Sequence, residues 1–500
     1  MVRVQTAMRF RIGLPIACRG HGGQPSMTLT LERLTEPDTL VWPKPLYAKL
    51  PGGRRSTDGL SKDEVAADQR RRLRGAMIEA VDQHGYQKTT AREVCRLAGV
   101  SERSFYELFD KKQGCFLATY DYIVRSAVER IGAAYAGERD WRERLRRAFL
   151  EFADLVVEQP NAARLVIVEV LGIGAGPALA EPTERTRAVV RRMEHTRGVF
   201  ERMVGASFSE APGGVRLPPL VTKGIVCGVE RITRQRLLAG GIEELPELAD
   251  ELLDWALSYS SAEVARLSEL APAPLRARPP VRARARNERA RVLGAAASLA
   301  ASNGYTSLTP VQITERAGTS LTTFNAMYPS VEQCFLAALD RLGLEALVCA
   351  AEGSQATHDR LARVHKGIAA LMDRVADDSV LRRVAFVEVF AVGPAGIDRR
   401  EQLLHRFSAL LTDTLPADVQ ASELVVEAIV GAIWGLVHHH VVHGAAHRLP
   451  DLTHEATYLA LAPLIGAAQA LETILAADPI LDDLEGDSRG QANSLMTGLS

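Results

Sequence analysis

No Cys-x-x-Cys pair occurs in this chain, and its six cysteines (Cys18, Cys95, Cys115, Cys227, Cys334, Cys349) lie scattered over 500 residues. That spacing excludes a disulfide framework and a zinc-ligand series, and it suits reduced thiols in the cytoplasm. Aromatic residues make up only 5% of a chain dominated by Ala, Leu, Val, Arg and Glu, which favours helices over sheets. Net charge is −1, so no global field marks a nucleic-acid binder and any basic surface has to be local. No uninterrupted apolar run approaches the ~18 residues needed to span a bilayer, so no membrane partner is expected. Residues 12–17 are broken by Gly13 and Pro15 and fall short of the roughly 7–15 residues of a secretion-signal core. No nucleophile-base pair, phosphate loop or metal-ligand series occurs, which leaves catalysis without candidate residues and gives no reason to expect a cofactor.

What is present is helical period, and it is present twice. Residues 1–66 carry Pro25, Pro37, Pro43, Pro45 and Pro51 without sustained period and read as a disordered extension, with Met27 an equally good start. From 68 onward, Leu73, Ala76, Met77, Ala80, Val81 and His84 fall on one helical face, and Gly85 stands where a C-terminal cap belongs. The same helix recurs with Val292, Ala295, Ala296, Leu299 and Ala300, closed by Gly304. A second helix opens at Thr90-Ala-Arg-Glu93, a capping-box pattern whose counterpart is Thr309-Pro-Val-Gln312. Both helices stop at Ala-Gly (98–99 and 317–318), and Ser101 and Ser320 can then cap a third.

The recurrence holds at an offset of 219 through Cys115-Phe-Leu-Ala118 and Cys334-Phe-Leu-Ala337, and through Val168-Glu-Val170 and Val387-Glu-Val389. It then falls to 204, aligning Ile225 with Ile429, Gly240 with Gly444 and Leu245-Pro with Leu449-Pro. These matches imply an internal duplication of a roughly 200-residue all-α unit, too long a period for a solenoid. The expected division is an extension (1–66), a helix-turn-helix head (67–127), a helical regulatory and dimerisation domain (128–268) and a Pro/Arg linker (269–285). A second head (286–346), a second helical domain (347–480) and a flexible tail (481–500) complete it.

Helix, short helix, glycine turn and short helix form the helix-turn-helix layout, whose last helix can enter the major groove. Phe105 and Phe109 can pin that helix, leaving Ser101, Glu102, Arg103, Ser104 and Tyr106 on its other faces. Arg103 can donate to guanine O6 and N7, and Ser101 or Ser104 can reach bases or phosphates. Lys111 and Lys112 sit where they would meet the DNA backbone, as do Arg70, Arg71, Arg72 and Arg74 at the start of the first helix.

The stretch GYQKTTAREVCRLAGVSERSFYELFDKKQGCFLA (85–118) resembles the TetR family of bacterial transcriptional regulators. It carries Gly85-Tyr86, Thr89-Thr90, Ala98 to Ser101, Phe105-Tyr106, Phe109 and Lys112 in the family's order. With the first helix the resemblance covers about sixty residues. It implies two TetR-like units, each a DNA-binding head with a ligand-binding and dimerisation domain. Thr90, Ser101, Glu102, Arg103, Ser104, Tyr106, Lys111 and Lys112 would then meet operator DNA, Tyr106 and Lys112 at phosphates. The resemblance further implies a cytoplasmic repressor responsive to an unidentified small-molecule effector. The two units would pair as an intrachain pseudo-dimer, 220–268 against 423–475, with a homodimer of chains also open. The competing reading is a ligand-binding or protein-interaction module that no longer binds DNA specifically.

The second copy departs from the pattern where DNA contact matters. Asn325 stands in place of the tyrosine and Val331 in place of the lysine, and Arg92, Arg96 and Arg103 become Val311, Glu315 and Thr322. Six basic residues lie in 88–112 and one, Arg316, in 307–331, so sequence reading is assigned to the first head. Thr309, Ser320, Thr322, Thr323 and Asn325 are the contacts left to the second. Arg276, Arg278, Arg282, Arg284, Arg286, Arg289 and Arg291 either neutralise phosphates without reading sequence or keep a linker extended.

Three further groups are expected to be structural. His439, His443 and His447 share a helix face, but no nearby carboxylate completes a metal set. Glu169 and Glu388, inside apolar runs, should pair with Arg164 and Arg383, since an unpaired buried charge is costly. Cys115 and Cys334 should be small buried hydrophobes.

Overall fold

The computed structural model describes residues 62–173, 184–211, 214, 216–259, 264–267 and 287–477. The Pro/Arg linker, the tail from 478 and the extension up to 61 lie outside them. Every regular element among the described residues is helical. The first four are α1 (Lys62–Lys88), α2 (Ala91–Ala98), α3 (Glu102–Leu108) and α4 (Lys112–Gly137). Next come α5 (Trp141–Glu158), α6 (Pro160–Arg164), a π turn (Leu165–Glu169), α7 (Val170–Ile173), α8 (Glu184–Glu210), α9 (Pro219–Ala239), α10 (Ala249–Leu257) and α11 (Val264–Leu267). The rest comprises α12 (Glu288–Asn303), α13 (Pro310–Ala317), α14 (Leu321–Met327), α15 (Val331–Ser354), α16 (Arg360–Asp377) and α17 (Ser379–Phe386). It ends with α18 (Pro394–Thr414), α19 (Glu423–Val442), α20 (Thr453–Ile465) and α21 (Ala467–Ala477).

The apolar stripe of α1 does what its period predicts: Leu73, Ala76, Met77, Ala80 and Val81 are buried with Val94, Phe105 and Phe116. His84 does not join them. It faces solvent, and its Nε2 lies 2.9 Å from Glu93 Oε1. The helix is already formed at Lys62, ahead of the period's onset at 68, and Asp63 and Glu64 in its first turn complement the amide charge there. The expected domain edges at 127 and 346 fall inside α4 and α15, so each long helix runs without a break from a head into the body.

α13 and α14 repeat the N-caps of α2 and α3. Thr90 accepts from Glu93 N and Thr309 from Gln312 N; Ser101 accepts from Ser104 N and Ser320 from Thr323 N. Gly99 and Gly318 close α2 and α13 at φ 61 and 64, a left-handed conformation that glycine adopts without strain. Only the second capping box is complete, since Glu93 turns to His84 while Gln312 Oε1 accepts from Thr309 N at 3.1 Å.

The two parts of the chain meet chiefly where α9 lies along α19. Glycines set how closely. A Cβ on Gly431 would lie 2.8 Å from Arg231 Cβ and 3.3 Å from Gly228 Cα. One on Gly228 would lie 2.8 Å from Ala428 O, and one on Gly435 would overlap Cys227. α10 and α20 flank this pair, and the buried Tyr259 hydroxyl, just past α10, donates to Leu459 O at 2.9 Å.

Among the described residues one helix, α19 (Glu423–Val442), is long and apolar enough to cross a membrane by length and composition. Here most of it is buried against protein, and Glu427 accepts from Gln235 Nε2 at 2.9 Å. An apolar helix packed on several sides is what a core position demands.

Gly435→Leu should force α9 and α19 apart and cost about 1–3 kcal/mol or more by overpacking. A lowered urea midpoint at similar slope is the expected result, and an unchanged midpoint would contradict this packing.

Candidate nucleic-acid interface

In the first head, α2 and α3 meet at Gly99 with Phe105 fully buried beneath α3, its ring 5.7 Å from Phe109. This pinning leaves the opposite face of α3 in solvent. Arg103 is almost fully exposed, its Nε held 3.0 Å from Glu107 Oε1. Tyr106 is 54% exposed, a large apolar ring with no packing reason to be outside. Glu102 sits 4.0 Å from Arg92, which is itself exposed. Lys111 is exposed as well. Thr90 and Ser101 are N-caps, so their oxygens already accept backbone amides, and Ser104 Oγ lies 2.9 Å from Ser101 Oγ.

Several of the basic residues expected at phosphates make contacts within the head. Lys112 turns inward: its Nζ donates to Tyr86 O and Thr89 O, both at 2.7 Å, and stands 4.2 Å from the centre of the Tyr86 ring. These are carbonyls at the end of α1, so the amine works as a C-cap, and burial lowers its pKa from the usual lysine value. Arg72 donates from Nη1 to Ala98 O (2.7 Å) and Gly99 O (3.1 Å), capping α2. Arg291 does the same in the second head, its Nε donating to Ala317 O at 3.1 Å. Arg74 stacks on Tyr122 and Arg71 pairs with Asp68. The recurrence of Arg72 as Arg291 was the sequence signal for a capping role.

The second head keeps Phe324 and Tyr328 buried, with rings 6.0 Å apart. Its outward face carries Thr322 and Asn325, with Thr323 half-buried and Thr309 and Ser320 used as caps. Val311 and Leu321, 53% and 45% exposed, stand where Arg92 and Glu102 stand in the first head. With Val331 in place of Lys112, Ser307 Oγ instead donates to Asn303 O and Gly304 O, both at 2.9 Å.

Each head is tied to the body through one buried carboxylate. Glu169, on the π turn, accepts Tyr86 N–H at 2.9 Å and lies 3.8 Å from Arg164 Nε. Glu388 accepts Tyr305 N–H at 2.7 Å and pairs with Arg383 at 2.7 Å. Burial raises the pKa of both above the ordinary carboxylate range, against the pull of those amides and arginines. The arginine partners match the sequence expectation, whereas the backbone amides had no sequence signal.

Beside the π turn lies an apolar cavity of about 230 Å³ between α4, α5, α8, α9 and α10. Val166 and Ile167 of the π turn line it, together with Ile123, Phe149, Phe152 and Phe200. Its polar groups are already paired: Tyr120 Oη lies 3.1 Å from Thr196 Oγ1, and Arg197 meets both oxygens of Glu230 at 2.8 and 2.9 Å. Burial alone would raise the Glu230 pKa, but Arg197 and Arg234 hold it down at about 2.

The histidine cluster does acquire a carboxylate, from far away in sequence. Glu194 on α8 lies 2.7 Å from His439 Nδ1 and 3.5 Å from His443 Nε2, with Lys223 Nζ 3.4 Å from His439 Nδ1. The three groups are close enough to hold a metal ion, but the Lys223 ammonium beside them supplies positive charge already. Cys115 and Cys334 are fully buried, and burial pushes both thiols up to about 12.

A capped three-helix head with Arg92, Arg103 and Tyr106 exposed on its outer face has the layout of a helix-turn-helix DNA-binding domain. Residues 76–119 match the family described as "Bacterial regulatory proteins, tetR family". No curated protein matches the chain. Similar solved structures include the fatty acid degradation regulator FadR from Bacillus halodurans, at 14% identity and TM-score 0.33, covering 37% of this chain and 96% of that one. A TetR-like regulator from Rhodococcus sp. RHA1 shows 16% identity and TM-score 0.32, covering 38% and 97%. FadR from Bacillus subtilis, solved in complex with stearoyl-CoA, shows 14% identity and TM-score 0.32, covering 37% and 97%.

Lys112→Ala should leave two carbonyls of α1 without their donor and lower stability by about 1–2 kcal/mol. Thermal unfolding of the free protein checks this. A variant as stable as the parent but weakened on every DNA would return Lys112 to the phosphate backbone.

Proposed function

We propose that the chain is a sequence-specific, cytoplasmic transcriptional regulator of TetR type, a repressor whose DNA binding responds to a small apolar effector. It holds two TetR-like units in tandem, paired as an intrachain pseudo-dimer through α9 and α10 against α19 and α20. The first head reads DNA through Arg103 and Tyr106, with Arg92, Glu102, Ser104 and Lys111 beside them. The second head serves as its structural partner. The observation that carries this reading is the contrast between two equally capped α2–α3 and α13–α14 corners: one exposes Arg92, Arg103 and Tyr106, the other Val311, Leu321 and Asn325.

The effector's place is the first cavity, whose walls are apolar and whose arginine is already neutralised by Glu230. Its π-turn wall also carries Glu169, which holds the end of α1. A ligand that displaces this wall therefore acts on the first head through this hydrogen bond and the neighbouring donation from Gln87 Nε2 to Gly172 O at 2.9 Å. A second reading, a protein-interaction module, is favoured by Val311 and Leu321, which give the second head an apolar outer face.

The double variant Arg103→Ala/Tyr106→Ala should lose about 2–4 kcal/mol of specific binding, whereas Thr322→Ala/Asn325→Ala should change it by well under tenfold. Gel-shift titration with DNA selected by the parent chain checks both. Equal losses from the two pairs would overturn the division of labour, and absence of DNA binding by the parent would favour the interaction module.

A further inference from the structure

The second part of the chain contains its own apolar cavity, of about 130 Å³, enclosed by α15 to α19. Ala346, Leu371, Phe386, Leu404, Phe407 and Trp434 are among its walls, and its one charged side chain is Arg400 on α18. Arg400 is 1% exposed. Its guanidinium lies 4.3 Å from the centre of the Trp434 ring and 5.4 Å from that of Phe390. Nη2 donates to Glu401, but Nε and Nη1 have no hydrogen-bond acceptor among the described residues. Two buried guanidinium nitrogens without an acceptor are costly on a cation, and a native structure keeps them for a reason.

The contrast with the first cavity identifies what is missing. There, Arg197 is answered by Glu230 of α9. At the 204 offset that aligns α9 with α19, Glu230 corresponds to Trp434. The second cavity has its own buried arginine, Arg400 on α18, and presents an aromatic face where the first presents Glu230. A ring satisfies the flat face of a guanidinium and leaves its in-plane donors open.

Charge balance points the same way. Arg400 belongs to a connected network at the junction of α8, α9, α18 and α19. Within it, Arg231 and Arg400 share the single carboxylate of Glu401, so this group of two guanidiniums is one negative charge short. Burial lowers the Arg400 pKa to about 10, and the neighbouring Arg234 and Arg231 add to that effect against Glu401. A single added anion relieves this; a dianion would meet Glu401 on the same guanidinium.

We propose that this second cavity binds a small apolar monocarboxylate, its carboxylate accepting from Arg400 Nε or Nη1 and its hydrocarbon body lying among Leu371, Phe386 and Phe407. Size limits the body to about six carbons, since a dry cavity of roughly 150 Å³ holds benzene. This site is independent of whether the chain reads DNA, and so is its test.

The test is calorimetric titration of the full chain with hexanoate and with 1-hexanol, its neutral counterpart of equal length. Hexanoate should bind one to one and at least tenfold more tightly than hexanol. Arg400→Met, checked by circular dichroism for retained helix, should weaken hexanoate at least tenfold and spare hexanol. Equal affinities in the parent chain, no hexanoate binding, or hexanoate binding untouched by Arg400→Met would each overturn the proposal. If the variant does not fold, the comparison of the two ligands on the parent chain decides alone.

Discussion

The close approach of α9 and α19 is the constraint on which the rest of the architecture depends. It is made by small residues: Gly228, Gly431 and Gly435 stand where any Cβ would meet Ala428 O, Arg231 or Cys227. Backbone contact of this kind leaves no freedom to slide. It therefore fixes where Arg231, Arg234 and Glu427 lie and which side of each helix faces a cavity. Both cavities take a wall from this pair, and an arginine of each, Arg197 and Arg400, lies against it. Hydrogen bonds between the two parts, such as Gln235 to Glu427 and Tyr259 to Leu459, follow from that closeness and do not create it.

Outward from this junction, the two heads show what a helix-turn-helix needs in order to fold and what it needs in order to read DNA. Folding requires the glycine turn, the hydroxyl caps, the buried phenylalanine and a carboxylate holding the end of the first helix. Both heads have all four, down to Arg72 and Arg291 capping the second helix. Reading requires cations and a tyrosine on a face that packing does not use, and only the first head has them. Because the two sets of residues occupy different faces, one can be lost without the other. In the proposed function this separation lets one chain carry an active head and a structural one.

Helix boundaries, caps and core stripes were legible in the sequence because they depend on neighbours three and four residues away. Thr309 with Gln312, Gly99, and the buried run from Leu73 to Val81 are of this local kind. What the sequence hid was contact at long range. His84 fits the period of α1 yet lies outside, because Glu93 draws it there. Lys112 reads as a surface cation next to DNA, but its flexible stem reaches back to the carbonyls that end α1. Glu194 meets His439 across a gap of 245 residues, which no spacing rule could find. Sequence thus marked the reading face by type of residue, while only geometry separated cations that face outward from those that hold helices closed.

The central claim is that one chain presents one reading head and one that does not read. Selection of bound DNA from a random pool by the full-length chain tests it most directly. The expected consensus is a single asymmetric half-site for each chain, or two such half-sites when two chains bind together. A strict palindrome protected by one chain would contradict it, because two heads with such different outer faces would then be reading the same bases.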